Sequence, residues 1–387
     1  MKRISSIDTV RGLVMIIMAL DHVRDLMHVH SVTESPTDLA TTTPILFFTR
    51  WITYLCAPIF VFLAGTSAYL SLKDKNDVVH SRRFLLKRGL WLILLEFTVV
   101  NLGLFFDPGF HTLLFQVIGA IGVGFIILSL LLKLSFRTIG IIGVIIVFCH
   151  NLLPLIPFGP GSMIKTILSP LFGLGVFPGL LHRTLIVSYP PIPWLGIMLV
   201  GFSAGKLFEL SADIRRRIFV QIGAGTLLLF VLLRWINMYG DPVLWSSQKT
   251  VLYSFLSFMN ITKYPPSLLF CLVTLGIMFL MLAVVEQKSN KFTAISNTYG
   301  KVPLFYFVLH FYIIHVLLII VLFGQGFHWA DLQFATGTFG RPKDMESGVS
   351  LRMVYIIWIG VVMVLYKPCV WFAKYKATHK YRWLRYM

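Results

Sequence analysis

The sequence predicts an all-α integral membrane protein, a polytopic bundle of about ten transmembrane helices with both termini in the cytoplasm. Three observations carry that expectation. Hydrophobic residues make up 57% of the 387 and charged residues only 13%, about half the ~25% of a soluble chain. Apolar runs long enough to cross a hydrocarbon core recur along the whole length. Lysine and arginine also alternate between connections. The N-terminus, the connections around 73–88, 133–137, 206–217 and 288–301, and the C-terminal tail hold 23 of the 34. That excess marks the cytoplasmic side. The net charge of +18 thus has a topological cause. It argues for contact with membrane lipids and against nucleic acid.

The first expected span, 7–30, reads IDTVRGLVMIIMALDHVRDLMHVH. It has no convincing small-residue cleavage site, so it is read as a retained span and not a signal peptide. The further spans are placed at 45–72, 90–106, 112–132, 138–155, 191–208, 218–239, 267–285, 302–323 and 353–372. The connection 158–189, rich in proline and glycine, leaves room for a re-entrant or extra short segment. No soluble domain or internal repeat stands out, so residues 1–387 read as a single membrane domain. The four cysteines stand singly in apolar segments, which predicts packing and neither disulfides nor a metal site.

Ionisable groups inside a span are expensive and usually face a protein-lined cavity. Arg11 and His22 are eleven residues apart, about three helical turns, and so share one face roughly 16 Å apart. Met15, Met18 and Asp25 fall on or near that stripe. A structural Asp8–Arg11 ion pair with a packing histidine is the competing reading. The ninth span adds Tyr306, His310, Tyr312 and His315 to an apolar helix. Such a cluster suits acid–base chemistry, a proton relay, or hydrogen bonding between helices. Glu96 is the one acid deep in an apolar run of the third span. The basic stretch 73–88, with Arg82, Arg83 and Arg88, is either a topology signal or a phosphate-binding surface. There is no Walker A pattern, no G-x-G-x-x-G fingerprint and no G-x-S-x-G elbow, so ATP hydrolysis and serine-hydrolase chemistry find no support.

The opening SSIDTVRGLVMIIMALDH resembles the first catalytic-domain helix of the transmembrane acyltransferases related to heparan-α-glucosaminide N-acetyltransferase. The Arg11–His22 spacing is similar to a signature of the acyltransferase 3 family. YPPIPWLGIMLVGFSAGKLF, KYPPSLLFCLVTLG and YGKVPLFYFVLHFYIIH resemble bacterial members of the first group. The resemblance implies transfer of an acyl group, acetyl first, from cytoplasmic acyl-CoA to a sugar hydroxyl or amine at the outer face of a bacterial cytoplasmic membrane. The family's lysosomal enzyme has Asn where His22 stands and its active histidine in the first lumenal loop, near which His28 and His30 lie here.

The expected site follows. His22 is the general base, oriented by Asp21 or Asp25, with His310 or His315 assisting the leaving thiolate. Arg11, Arg82, Arg83 and Arg88 hold the acyl-CoA phosphates, and His28, His30, Tyr306 and Tyr312 contact the acceptor. No metal is expected, and a homo-oligomer is left open. The alternative is a proton-coupled transporter or flippase of a lipid- or sugar-linked metabolite, with His22, His315 and Glu96 as coupling groups.

Overall fold

The computed structural model describes residues 4–155, 163–180, 183–336, 338–342 and 345–387. In chain order the main elements are α1 (Ser5–Met27), α2 (Pro44–Thr53), α3 (Cys56–Lys75), α4 (Val78–Leu95), α5 (Asn101–Phe105), β1 (Thr112–Phe115), α6 (Val117–Leu131), α7 (Phe136–Cys149) and α8 (Met163–Phe172). They continue with β2 (Gly175–Leu180), β3 (Arg183–Val187), α9 (Pro191–Ala204), α10 (Ala212–Ile236), α11 (Val251–Met259), α12 (Leu268–Val285), α13 (Lys291–Gly300), α14 (Pro303–Gly324) and α15 (Leu351–Thr378). The chain is an all-α polytopic membrane protein. Among the described residues, eight helical stretches are long and apolar enough to span a bilayer. With α1 and α6 they match the ten expected segments. α1 carries too much charge for a lipid-facing span, and α6 has only 15 residues.

The charge on α1 is tolerated because the helix does not face lipid. Sixteen of its 23 residues are buried, and it packs against α2, α3, α12, α13, α14 and α15. In α10 and α15, by contrast, only 22% of the apolar window is buried inside the protein, so these helices form the lipid-facing flank. The α1–α13 contact is backbone on backbone. A Cβ on Gly12 would lie 1.7 Å from the Ser296 carbonyl oxygen, and one on Gly300 1.9 Å from that of Asp8. This is the close approach that small residues permit between membrane helices. Thr9 Oγ1 donates to Asn297 Oδ1 at 2.9 Å across the same contact. The DTVRG motif is therefore the seam that fastens α1 to α13.

Three expected segments differ from the structure. The basic stretch 73–88 is helical apart from Asn76 and Asp77. Asn76 turns through the left-handed region (φ 49°), and Asp77 caps α4 by accepting from the His80 N–H at 2.9 Å. The expected span 112–132 opens with a strand, and its helix begins only at Val117. The cause is Asn101, whose amide bonds both backbone groups of Leu114, accepting at 2.7 Å and donating at 3.0 Å. In the 158–189 connection, α8 occupies the place of the extra short segment and is followed by β2 and β3, while 158–162 and 181–182 lie outside the described residues. β3 runs parallel to β1, from Thr112↔Thr184 to Phe115↔Val187, and antiparallel to β2. That pairing satisfies the polar backbone of β3 without a helix. Of the cysteines, Cys56, Cys271 and Cys369 are buried, while Cys149 is exposed.

Candidate active site

α1 organises two cavities, one at each half of its length. The first lies along its N-terminal half, lined by Arg11 and Met15 and by Ser67, Arg88, Lys301 and Phe307. Its empty volume, open mouth included, is about 960 Å³. The walls are mostly apolar side chains of α3, α4, α6 and α14, and the cations stand among them. Arg11 meets, among other groups, Ser67 Oγ at 2.9 Å, Asp8 Oδ1 at 3.3 Å and the Gly300 carbonyl at 3.4 Å. The Arg88 guanidinium sits 5.4 Å from the centre of the Phe125 ring, and its buried Nε has no hydrogen-bond partner among the described residues. A polyanionic ligand with an apolar arm suits such a cavity, because guanidinium groups bind phosphate bidentately.

Of the four arginines expected to bind phosphate, the structure brings two together. Arg11 and Arg88 line the cavity. Arg82 instead donates from Nε to the Ser129 carbonyl at 3.0 Å, tying α4 to α6, and Arg83 is exposed. Lys301 and Lys376 join the cavity wall. In the sequence both belong to the basic connections that mark the cytoplasmic side.

Further along the same stripe of α1 stands His22, roughly 16 Å beyond Arg11 at helical rise. Its Nδ1 lies 2.5 Å from Nε2 of His310, with the rings stacked at 4.8 Å between centroids. Phe311 covers the ring at 4.4 Å and makes an edge contact at 5.3 Å with Phe307, which lines the first cavity. His310 is fully buried, whereas His22 keeps accessible surface.

The hydrogen-bond chain fixes the tautomers. His310 Nδ1 lies 3.1 Å from the carbonyl oxygen of Tyr306. A carbonyl only accepts, so that nitrogen carries the proton. With both rings neutral, His310 Nε2 is then an acceptor and His22 Nδ1–H is the donor. The lone pair left over is on His22 Nε2. A base needs that arrangement: one nitrogen oriented by a fixed partner and the other bare.

The expected orienting carboxylates are engaged elsewhere. Asp21 accepts from Arg24 Nη2 and Arg50 Nη1, both at 2.7 Å, and from Thr53 Oγ1 at 2.8 Å, with Lys263 Nζ at 3.9 Å. Asp25 pairs with Arg24 at 2.5 Å, and its side chain is 41% exposed. Among the described residues the hydrogen-bond partner of His22 is therefore His310, not Asp21 or Asp25. Arg50, Thr53 and Lys263 went unrecognised: Arg50 and Thr53 look like ordinary polar residues in the second span, and Lys263 sits in a loop. The KYPPS motif was the available signal for the last.

A second cavity, with an empty volume of about 880 Å³, open mouth included, lies beyond the C-terminal half of α1. Arg24, Asp25, Arg50, Tyr54, Lys263 and Tyr264 are among its lining residues, with the hydroxyl and amide groups of Ser35, Thr37, Asn260 and Thr262. Buried arginines brace this end. Arg234 donates to the carbonyls of Val243, Ser257, Phe258 and Asn260. Arg341 donates to those of His28, Val29 and Ser347. His28 and His30 line a small adjoining recess that shares Arg24, Asp25 and Pro36 with the vestibule. Burial, with His30, Arg24 and Arg341 adding to it, pushes the His28 pKa down to about 4, so its ring stays neutral near pH 7.

The remaining expected residues meet helix backbone and neighbouring rings. His315 Nδ1 donates to the Leu104 carbonyl at 3.0 Å and stacks on Phe106 at 4.0 Å. Tyr312 donates to the Val99 carbonyl at 2.8 Å in the π-helical turn Glu96–Val100. Tyr306 contributes its backbone carbonyl to His310, its ring packs edge-on against Tyr299, and its buried hydroxyl has no hydrogen-bond partner among the described residues. Glu96 Oε2 accepts the Gly119 N–H at 2.6 Å, placing a carboxylate at the N-terminus of α6, where the helix dipole favours negative charge.

The His22–His310 pair thus stands on α1 and α14 between the Arg11 cavity and the vestibule at Arg24 and Asp25. Residues 3–242 match the heparan-alpha-glucosaminide N-acetyltransferase catalytic family. The match covers more than half of the chain, which therefore belongs to that family, and its class of activity is membrane acetyl transfer. No curated protein sequence matches the chain.

Proposed function

We propose that the protein moves an acyl group, acetyl first, from cytoplasmic acyl-CoA to a sugar hydroxyl or amine at the outer face of a bacterial cytoplasmic membrane. The observation that carries this reading is the His22–His310 pair between the two cavities, with His22 Nε2 left as a bare lone pair. The distribution of basic connections supports a cytoplasmic Arg11 end of α1. The first cavity fits acyl-CoA: Arg11, Arg88, Lys301 and Lys376 are matched to phosphates, and the apolar walls to the pantetheine and acyl arm. The unpartnered Arg88 Nε supports an anionic occupant. The acceptor enters through the vestibule at the other end.

In the reaction the acceptor oxygen or nitrogen attacks the thioester carbonyl carbon while His22 Nε2 takes its proton. The imidazolium that forms donates through Nδ1–H to His310 Nε2, which stabilises the charge without receiving a full proton. Collapse of the tetrahedral adduct breaks the C–S bond, and the thiolate takes the proton back from His22. Acid–base assistance of this kind contributes roughly 10²- to 10⁴-fold. Of the coupling groups of the transporter alternative, His22, His315 and Glu96, the last two bond helix backbone, at Leu104 and Gly119, and the family points to transfer. The test is incubation of the purified protein with labelled acetyl-CoA and glucosamine. Labelled N- or O-acetyl product is expected, and no transfer to any amine or hydroxyl sugar would overturn the reading.

A further inference from the structure

We infer that the acceptor carries an anionic group, a carboxylate or a phosphate, and that Lys263 holds it in the vestibule. The inference rests on the acyl-transfer reading and narrows its acceptor class. Lys263 is only 6% exposed and lines the second cavity. Its ammonium has three N–H donors. Its ion pair, with Asp21 Oδ2, spans 3.9 Å, beyond hydrogen-bond range, and no acceptor meets it within that range among the described residues. The faces of Tyr54 and Tyr264 flank it at 5.8 and 5.0 Å. They shield the charge without accepting its protons. Asp21 is already saturated by two arginines and a threonine. Within the ion-paired cluster Arg24, Arg50 and Lys263 face Asp21 and Asp25, three positive charges against two negative, with the exposed Glu34 in the adjoining recess. A buried ammonium left this way is costly unless a ligand completes it. The surrounding hydroxyls and amide suit a polyol, so an acidic or phosphorylated sugar satisfies both features.

The test compares acceptors on the full-length protein in detergent or nanodiscs at constant ionic strength. Glucosamine serves as the neutral acceptor, glucosamine 6-phosphate as the phosphate arm and glucuronic acid as the carboxylate arm. At least one anionic sugar should show a KM about tenfold or more below that of glucosamine, the scale of a charge-assisted hydrogen bond. Lys263→Met should weaken the anionic acceptor about tenfold more than the neutral one, and Lys263→Arg should restore part of the difference. Thermal shifts with inorganic phosphate and with glucuronate read the same site without turnover. Equal KM values for all three sugars, with no anion-specific shift, would overturn the inference while leaving acyl transfer intact. Anion binding that Lys263→Met abolishes, in a protein that acylates none of the sugars, would sustain the site and sink the acyl-transfer reading. If Lys263→Met fails to fold, the wild-type comparison of acceptors decides.

Discussion

His310 and His315 stand on the same helix, both fully buried, yet they belong to different parts of the molecule. Five residues of helix rotate one about 140° from the other. His310 therefore meets His22 on α1, and His315 meets the carbonyl of Leu104 and the ring of Phe106. Both donate from Nδ1 to a carbonyl. The difference lies at Nε2. In His310 it completes a pair whose second member keeps accessible surface, while in His315 it has no partner among the described residues and stays in the packed interior. Burial of a histidine in a membrane span thus marks a site only when the hydrogen-bond chain ends in a group that something else can reach.

Substitutions sharpen that contrast, and the largest effect belongs to His22. His22→Ala should cost roughly 10²- to 10⁴-fold in kcat while acyl-CoA binding survives. Near-normal turnover would return the base to His28 or His30. The next effect is at the first cavity. Arg88→Ala should weaken acyl-CoA binding by about ten- to a hundredfold, the range of a charge-assisted hydrogen bond, with Arg11→Ala similar. Arg83→Ala, on an exposed side chain, should stay within about twofold, and equal losses at Arg83 and Arg88 would move the phosphate site out of the cavity. His315→Ala leaves the Leu104 carbonyl unsatisfied and should cost about 1–3 kcal/mol of stability. Its kcat should change by less than about threefold, and a loss as large as that of His22→Ala would contradict its assignment to packing.

The sequence showed which residues were unusual but not whom they meet. Arg11 and His22 were legible because a charge and an imidazole interrupt an apolar run at whole-turn spacing. DTVRG could be seen as a motif, although its partner, the Ser296–Gly300 backbone, could not. The His22–His310 contact joins residues 288 positions apart, and no local pattern encodes such a distance. Asp21 looked like an orienter because it is adjacent in sequence. Consecutive helical residues point about 100° apart, so it turns instead towards Arg50 and Thr53. The three strands are too short to announce themselves by alternation, and β1 was hidden at the head of an apolar run. Arg82 and Arg83 shared the charge of Arg88 but not its face of α4.

The pairing of the two rings is the centre of the account, and a double-mutant cycle on kcat tests it most directly. His22→Gln, His310→Gln and the double variant are compared with wild type, with acyl-CoA binding measured on each as a check of folding. If His310 acts by orienting and stabilising His22, its loss has little left to remove once His22 is gone. The double variant should then be no slower, within about twofold, than His22→Gln alone. Losses that multiply across the two positions would show that the histidines act independently and would contradict the paired base.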